Sequence, residues 1–116
     1  MPNSYAIAGQ AAPVAATDTT LYTVEAATQF SASTLAVVNR DKTVGADAAE
    51  FRVAIVPQGD TLANKHYLEF DRFLEPRDSY KMTIGITLPA GASVIVRSST
   101  ANLSFSLFGA KITASS

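Results

Sequence analysis

His66 is the one histidine in the chain, and there is no cysteine. A hydrolytic triad needs an imidazole beside a nucleophile and an orienting carboxylate. Lys65 and Tyr67 flank His66, and nothing in the chain resembles a nucleophile elbow. His66 is therefore expected to begin a strand and to face solvent or cap a loop. A zinc site draws its ligands mostly from Cys and His, which this composition does not supply. Glu69 and Asp71 alternate along an expected strand, which would turn both to one face, and Glu75 and Asp78 follow. Paired carboxylates can serve glycoside hydrolysis or hold calcium. Arg72 and Arg77 lie among them, so ion pairs are the expected use, and EF-hand spacing is absent. No Gly-rich loop leads into a helix, so phosphate binding has no support. Tyr5, Tyr22, Tyr67 and Tyr80 offer a sugar-stacking platform if they share an exposed sheet face. Burial in a core or an interface is the commoner use of Tyr in a β-sandwich. Asn102-Leu103-Ser104 matches the glycosylation acceptor pattern, but it falls in an expected strand and is read as chance. No catalytic, cofactor-binding or metal-ligating residue is assigned, no cofactor is implied, and the chain reads as a non-enzyme.

The bulk numbers point the same way. The chain has 116 residues, of which 47% are hydrophobic and 16% charged, with a net charge of -1. Average chains carry about 25% charged residues, so Ser, Thr, Ala and Asn must cover much of this surface. Such a surface repels other proteins weakly and suits a chain that works packed against partners. Lys and Arg form no cluster, so no nucleic-acid partner is expected. No run is long and apolar enough for a transmembrane helix, so no membrane partner is expected either. Met1-Pro2-Asn3-Ser4-Tyr5 lacks the positive region of a signal peptide.

The elements that would carry these residues are strands. Phe51, Val53 and Ile55 alternate with Arg52, Ala54 and Val56. Tyr80, Met82, Ile84 and Ile86 alternate with Lys81, Thr83, Gly85 and Thr87. Leu103, Phe105 and Leu107 alternate with Ser104, Ser106 and Phe108. A period of two gives each strand one core face and one outer face. Turn chemistry separates the runs at Asn39–Asp47 (read as a hairpin-type loop), Pro57–Asp60, Glu75–Asp78 and Leu88–Gly91. Strands are expected at 4–9, 20–26, 29–39, 49–57, 66–71, 79–87, 93–98 and 102–112. Residues 60–65 are expected to form a 3₁₀ or α turn with Asp60 as N-cap. The fold class expected is all-β: one domain over 1–116, an antiparallel sandwich of about eight strands, jelly-roll or immunoglobulin-like. Residues 10–20, rich in Ala, Pro and Thr, read as an extended arm or as a surface loop. As an arm, they imply that deleting residues 1–18 leaves the sandwich folded.

Several runs, taken in order, carry a resemblance. They are Gly9-Gln10-Ala11-Ala12-Pro13, Asp18-Thr19-Thr20-Leu21-Tyr22-Thr23-Val24 and Ser33-Thr34-Leu35-Ala36-Val37-Val38-Asn39-Arg40. Phe51-Arg52-Val53-Ala54-Ile55 and Leu62-Ala63-Asn64-Lys65-His66-Tyr67-Leu68 follow. Thr83-Ile84-Gly85-Ile86-Thr87-Leu88 and Leu103-Ser104-Phe105-Ser106-Leu107-Phe108-Gly109 complete the set. Together they resemble small virion structural proteins of tailed bacteriophages, over nearly the whole chain. The family usually has Pro after the Tyr-Thr-Val run, where this chain has Glu25, and its first central loop is often shorter than Asp41–Glu50. The resemblance implies a subunit of a phage particle, assembled in the host cytoplasm. It would be a capsid decoration (cement) protein or a tail, baseplate or fibre-attachment piece. The partners implied are major capsid or tail/baseplate proteins and further copies of the chain, with a trimeric homo-oligomer among the options. A carbohydrate-binding module that contacts the host surface is the alternative.

Overall fold

Along the strand Thr28–Asn39, Phe30, Ala32, Leu35 and Val37 are buried while Gln29, Ser33 and Val38 are exposed. The computed structural model, which describes residues 3–43 and 45–113, turns this rhythm into eight strands. They are β1 (Asn3–Ala11), β2 (Thr19–Thr23), β3 (Thr28–Asn39), β4 (Ala49–Val56), β5 (Tyr67–Leu74), β6 (Ser79–Leu88), β7 (Ser93–Ser98) and β8 (Leu103–Thr113). Each matches an expected strand to within three residues at either end.

The strands form two antiparallel four-stranded sheets. Sheet A has the order β1-β8-β3-β6 and sheet B the order β2-β7-β4-β5. The pairs β1·β8, β2·β7, β3·β6 and β4·β5 nest inside one another, as if one long hairpin had been folded at its middle. Successive pairs fall in alternate sheets, so the hairpin is rolled across the sandwich. That order is the jelly roll. The immunoglobulin arrangement splits its strands differently and is excluded.

The order corrects two local readings. The loop after Asn39 is not a hairpin, because β3 and β4 lie in different sheets. Among consecutive strands only β4 and β5 are hydrogen-bonded neighbours. Residues 10–20 are divided: Gln10 and Ala11 finish β1, Thr19 and Thr20 begin β2, and the intervening residues cross between the sheets. There the Ala16 N–H donates to the Ser98 carbonyl at 2.7 Å. Deleting residues 1–18 would strip β1 from β8, so the truncated chain would not keep an intact sandwich.

The core lies between the inner faces. Sheet A supplies Phe30, Leu35, Val37, Leu103, Phe105 and Leu107, and sheet B supplies Phe51, Val53, Val94 and Val96. Phe51 meets Phe105 across the gap at 6.1 Å, edge to face, and Tyr80 at 5.8 Å. Asn39, at the inner end of β3, is buried with its hydrogen bonds made. Its side-chain amide donates to the Leu74 carbonyl at 2.9 Å, and its Oδ1 accepts from the Asp41 N–H at 3.0 Å. Its backbone exchanges bonds with Asp78 and Arg77, which fastens the β5–β6 turn to β3. An unpaired amide here would cost about 1–3 kcal/mol, so the full set of partners explains a polar residue at this depth.

Candidate functional site

The outer face of sheet B gathers most of the side chains that could do chemistry. On β4 the core takes Ala49, Phe51 and Val53, so Glu50 and Arg52 point outward, while Ala54 is fully buried. Arg52 pairs directly with Arg97 of β7. Two like charges opposite one another destabilise a sheet, and each has a carboxylate on its far side. Asp71 takes Arg52 in a two-pronged contact, Nε to Oδ1 at 2.6 Å and Nη2 to Oδ2 at 3.2 Å. Asp18 takes Arg97 at 3.5 Å. The result is a row of charges, minus-plus-plus-minus, running across the sheet.

Asp71 reaches Arg52 because β5 bulges. Phe51 pairs with Arg72 and Val53 with Glu69, so Phe70 and Asp71 both stand opposite Arg52. Asp71 absorbs the irregularity with φ 50°, a left-handed conformation that Asp tolerates better than most residues. The sequence expectation that Glu69 and Asp71 share a face is therefore wrong. Glu69 lies opposite the core residue Val53 and bonds Arg72 at 3.3 Å, while Asp71 lies outside. Arg72 does form the expected ion pair. Arg77 instead donates to the Lys42 carbonyl at 3.3 Å.

The bulge also sets an aromatic row beside the charges. The Arg52 guanidinium lies 4.1 Å from the centre of the Phe70 ring. Tyr67 meets Phe70 edge to face at 4.9 Å. Phe73 pairs with the outward Glu50, so it continues the row. Phe70 is 54% exposed and Phe73 68%. An open hollow of about 430 Å³ lies against Asn64, Tyr67 and Phe70. A second, of about 200 Å³, is lined by Ala16, Glu50, Arg52, Asp71, Arg97 and Ser99. Ligand pockets usually hold about 300–1,000 Å³, so of these two the aromatic hollow has that size.

The other candidates sit elsewhere. His66 is buried rather than facing solvent, and it caps a loop. Its Nδ1 accepts the Ala63 N–H at 2.9 Å, and its Nε2 bonds the Asp60 carboxylate at 3.2 Å. The imidazole thus closes the 3₁₀ turn Asn64–His66, whose N-cap is Ala63 and not Asp60. Both ring nitrogens are committed to holding that loop. Tyr22 is buried edge-on against Phe30 at 5.0 Å, and its hydroxyl donates to Glu25. Burial first, and the Glu25 carboxylate second, push that hydroxyl well above the usual phenol range. Tyr80 packs between Phe51 and the Arg72 guanidinium. The side chain of Tyr5 lies outside the described residues. The three described tyrosines therefore share no platform: of them Tyr67 alone joins the outer row, and its neighbours there are Phe70 and Phe73. Among the described residues no group of three or more His, Cys, Asp or Glu side chains is placed to hold a metal.

The hydrogen bond from Arg52 holds the Asp71 carboxyl below the usual carboxylate range. A lowered folded-state pKa adds stability above the unfolded value, about 3.9 for Asp. That contribution is lost as pH falls through the folded value. Acid should therefore release Arg52 from Asp71 and loosen its stacking on Phe70. NMR titration of the Asp71 carboxyl should give a depressed midpoint in the native chain and a rise toward the ordinary value in Arg52→Met. Equal midpoints in the two proteins would remove Arg52 as the cause.

Comparison with known proteins adds no relative. No protein-family model matches the chain, and no curated protein matches it.

Proposed function

We propose that this chain is a non-enzymatic structural subunit of a tailed-phage particle, a jelly roll that packs on other virion proteins. Capsid decoration and tail, baseplate or fibre attachment are the positions this reading covers. The observation that carries it is the exposed apolar row on β5. Leu68, Phe70 and Phe73 are 40%, 54% and 68% exposed on one edge strand. A contiguous apolar patch rimmed by polar groups marks a contact surface, and aromatics with Arg are the residues that anchor such contacts. Here Arg52 and Asp71 hold the row in place before any partner arrives, which lowers the ordering cost of docking. The weakly charged remainder of the surface fits a subunit crowded among others, and the sequence resemblance points to the same setting.

Purified particles should contain the chain in stoichiometric amounts by mass spectrometry. The double variant Phe70→Ser/Phe73→Ser should fold normally and fail to enter them. Chain missing from the wild-type particle would end the virion reading, and normal entry of the double variant would remove this face as the contact.

The hollow beside Tyr67 and Phe70 favours a second reading, a glycan-binding surface. Sugars stack on exposed rings, and Asn64 stands beside these rings to meet hydroxyl groups. Glycan arrays sensitive to millimolar affinity should then give hits that Tyr67→Ala abolishes. An array without hits would leave the protein-contact reading alone.

A further inference from the structure

Sheet A has two edge strands, β1 and β6, and the one with the least guarded sequence is β6. Natural sheets guard such edges with Lys, Pro or short length. This strand has ten residues, and beyond Lys81 it runs Met82-Thr83-Ile84-Gly85-Ile86-Thr87-Leu88 with neither charge nor proline. The run is a palindrome about Gly85: Thr-Ile-Gly-Ile-Thr reads the same from either end.

That symmetry matters physically. An antiparallel strand that meets its own copy about a two-fold axis at Gly85 sets Ile84 opposite Ile86 and Thr83 opposite Thr87, each twice. Such spacing keeps facing residues on one side of the joint sheet. The faces agree: Ile84 packs on the core and Ile86 pairs with the buried Ala32, whereas Thr83 and Thr87 are exposed. β-branched and Thr–Thr neighbours are favourable cross-strand pairs, and no like charges meet.

Gly85 has φ 66°, and between Thr83 and Ile86 β6 carries one residue more than β3. A bulge usually turns an edge away from partners. Here it falls at the centre of the palindrome. It interrupts self-pairing only at the axis and leaves two equivalent ladders, Met82–Ile84 against Ile86–Leu88 of the other copy. A Cβ added at Gly85 would meet nothing within 4 Å in this chain, so the sheet face at the axis is uncovered. β5 is the edge of the opposite sheet on the same flank, joined to β6 by Arg72 over the Tyr80 ring at 4.2 Å. The same axis draws the two flanks together and gives cover to Ile86, now 39% exposed.

We propose that β6 pairs antiparallel with β6 of a second copy, giving a two-fold dimer whose continuous sheet takes four strands from each chain. The dimer does not rest on the subunit reading, which places its contact on the outer face of sheet B, a face the dimer leaves free.

Sedimentation equilibrium of the full chain tests it. The wild type should be a dimer at micromolar concentration. Thr83→Lys/Thr87→Lys places like charges opposite each other twice and should weaken the dimer at least about tenfold. Both positions are exposed, so the circular dichroism spectrum and melting temperature should barely change. Mixing that variant with Thr83→Glu/Thr87→Glu should restore association as a heterodimer. A monomeric wild type, a trimer, a dimer indifferent to the Lys pair, or a mixture that stays monomeric would each overturn the proposal. A monomer that still enters particles would leave the proposed role standing. A dimer missing from particles would do the reverse.

Discussion

Replacing Gly109 with Ala should destabilise the chain by about 3 kcal/mol or more. Gly109 lies on β8, with Ala6 of β1 opposite on one side and Ala32 of β3 on the other. An added Cβ would fall on the Ser31 carbonyl oxygen and against the Phe30 ring. The ring has no room to yield, because Phe30 is fully buried and carries Tyr22 edge-on. The carbonyl belongs to the backbone of β3, so it cannot rotate away as the end of a long side chain could. The methyl group therefore forces β3 and β8 apart where sheet A is held by neighbours on both sides. Typical domains have about 5–15 kcal/mol of total stability, so the loss would be a large share of it. Urea denaturation followed by circular dichroism measures it. A loss under about 1 kcal/mol would mean that the strands shift to admit the methyl, and that this close approach is not a constraint on the fold.

The strands were legible because each inner face is written locally. Phe51 and Val53, or Leu103, Phe105 and Leu107, declare a buried side within a few residues. The nested pairing was not legible, because β1 and β8 are partners from opposite ends of the chain and nothing in either names the other. The outer face of sheet B was missed for a narrower reason. Strict alternation puts Asp71 with Glu69 and treats Phe70 as a core residue. The bulge reverses both assignments, and its left-handed residue is an Asp rather than the Gly that would have flagged it. Phe70 and Phe73 did carry a signal: two Phe, each next to an Arg or Asp, on a strand with three charged residues between Tyr67 and Leu74 could not all be buried. For His66 the sequence allows a loop cap or a solvent-facing residue, and its two bonds make it the former.

Phe51→Ala should cost about 3–5 kcal/mol, whereas Phe70→Ala on the outer face should stay within about 1 kcal/mol. The two rings belong to neighbouring strands of the same sheet, and only their sides differ. Phe51 is 1% exposed and stands where the sheets meet, edge to face with Phe105 and tilted against Tyr80. Its strand is held on one side by Arg72 of β5 and on the other by Ser98 of β7. That ladder prevents β4 from sinking to fill the space, so the cavity persists and its walls lose their contacts. Tyr80 would lose one of the two groups that sandwich it and keep only the Arg72 guanidinium at 4.2 Å. The β5–β6 flank should therefore loosen along with the core. Phe51→Leu keeps much of the volume and should cost roughly 1–2 kcal/mol. Denaturant midpoints for the three variants give the comparison. If Phe51→Ala costs no more than Phe70→Ala, the two sheets are not joined through this ring, and the aromatic contact between β4 and β8 is incidental to the sandwich.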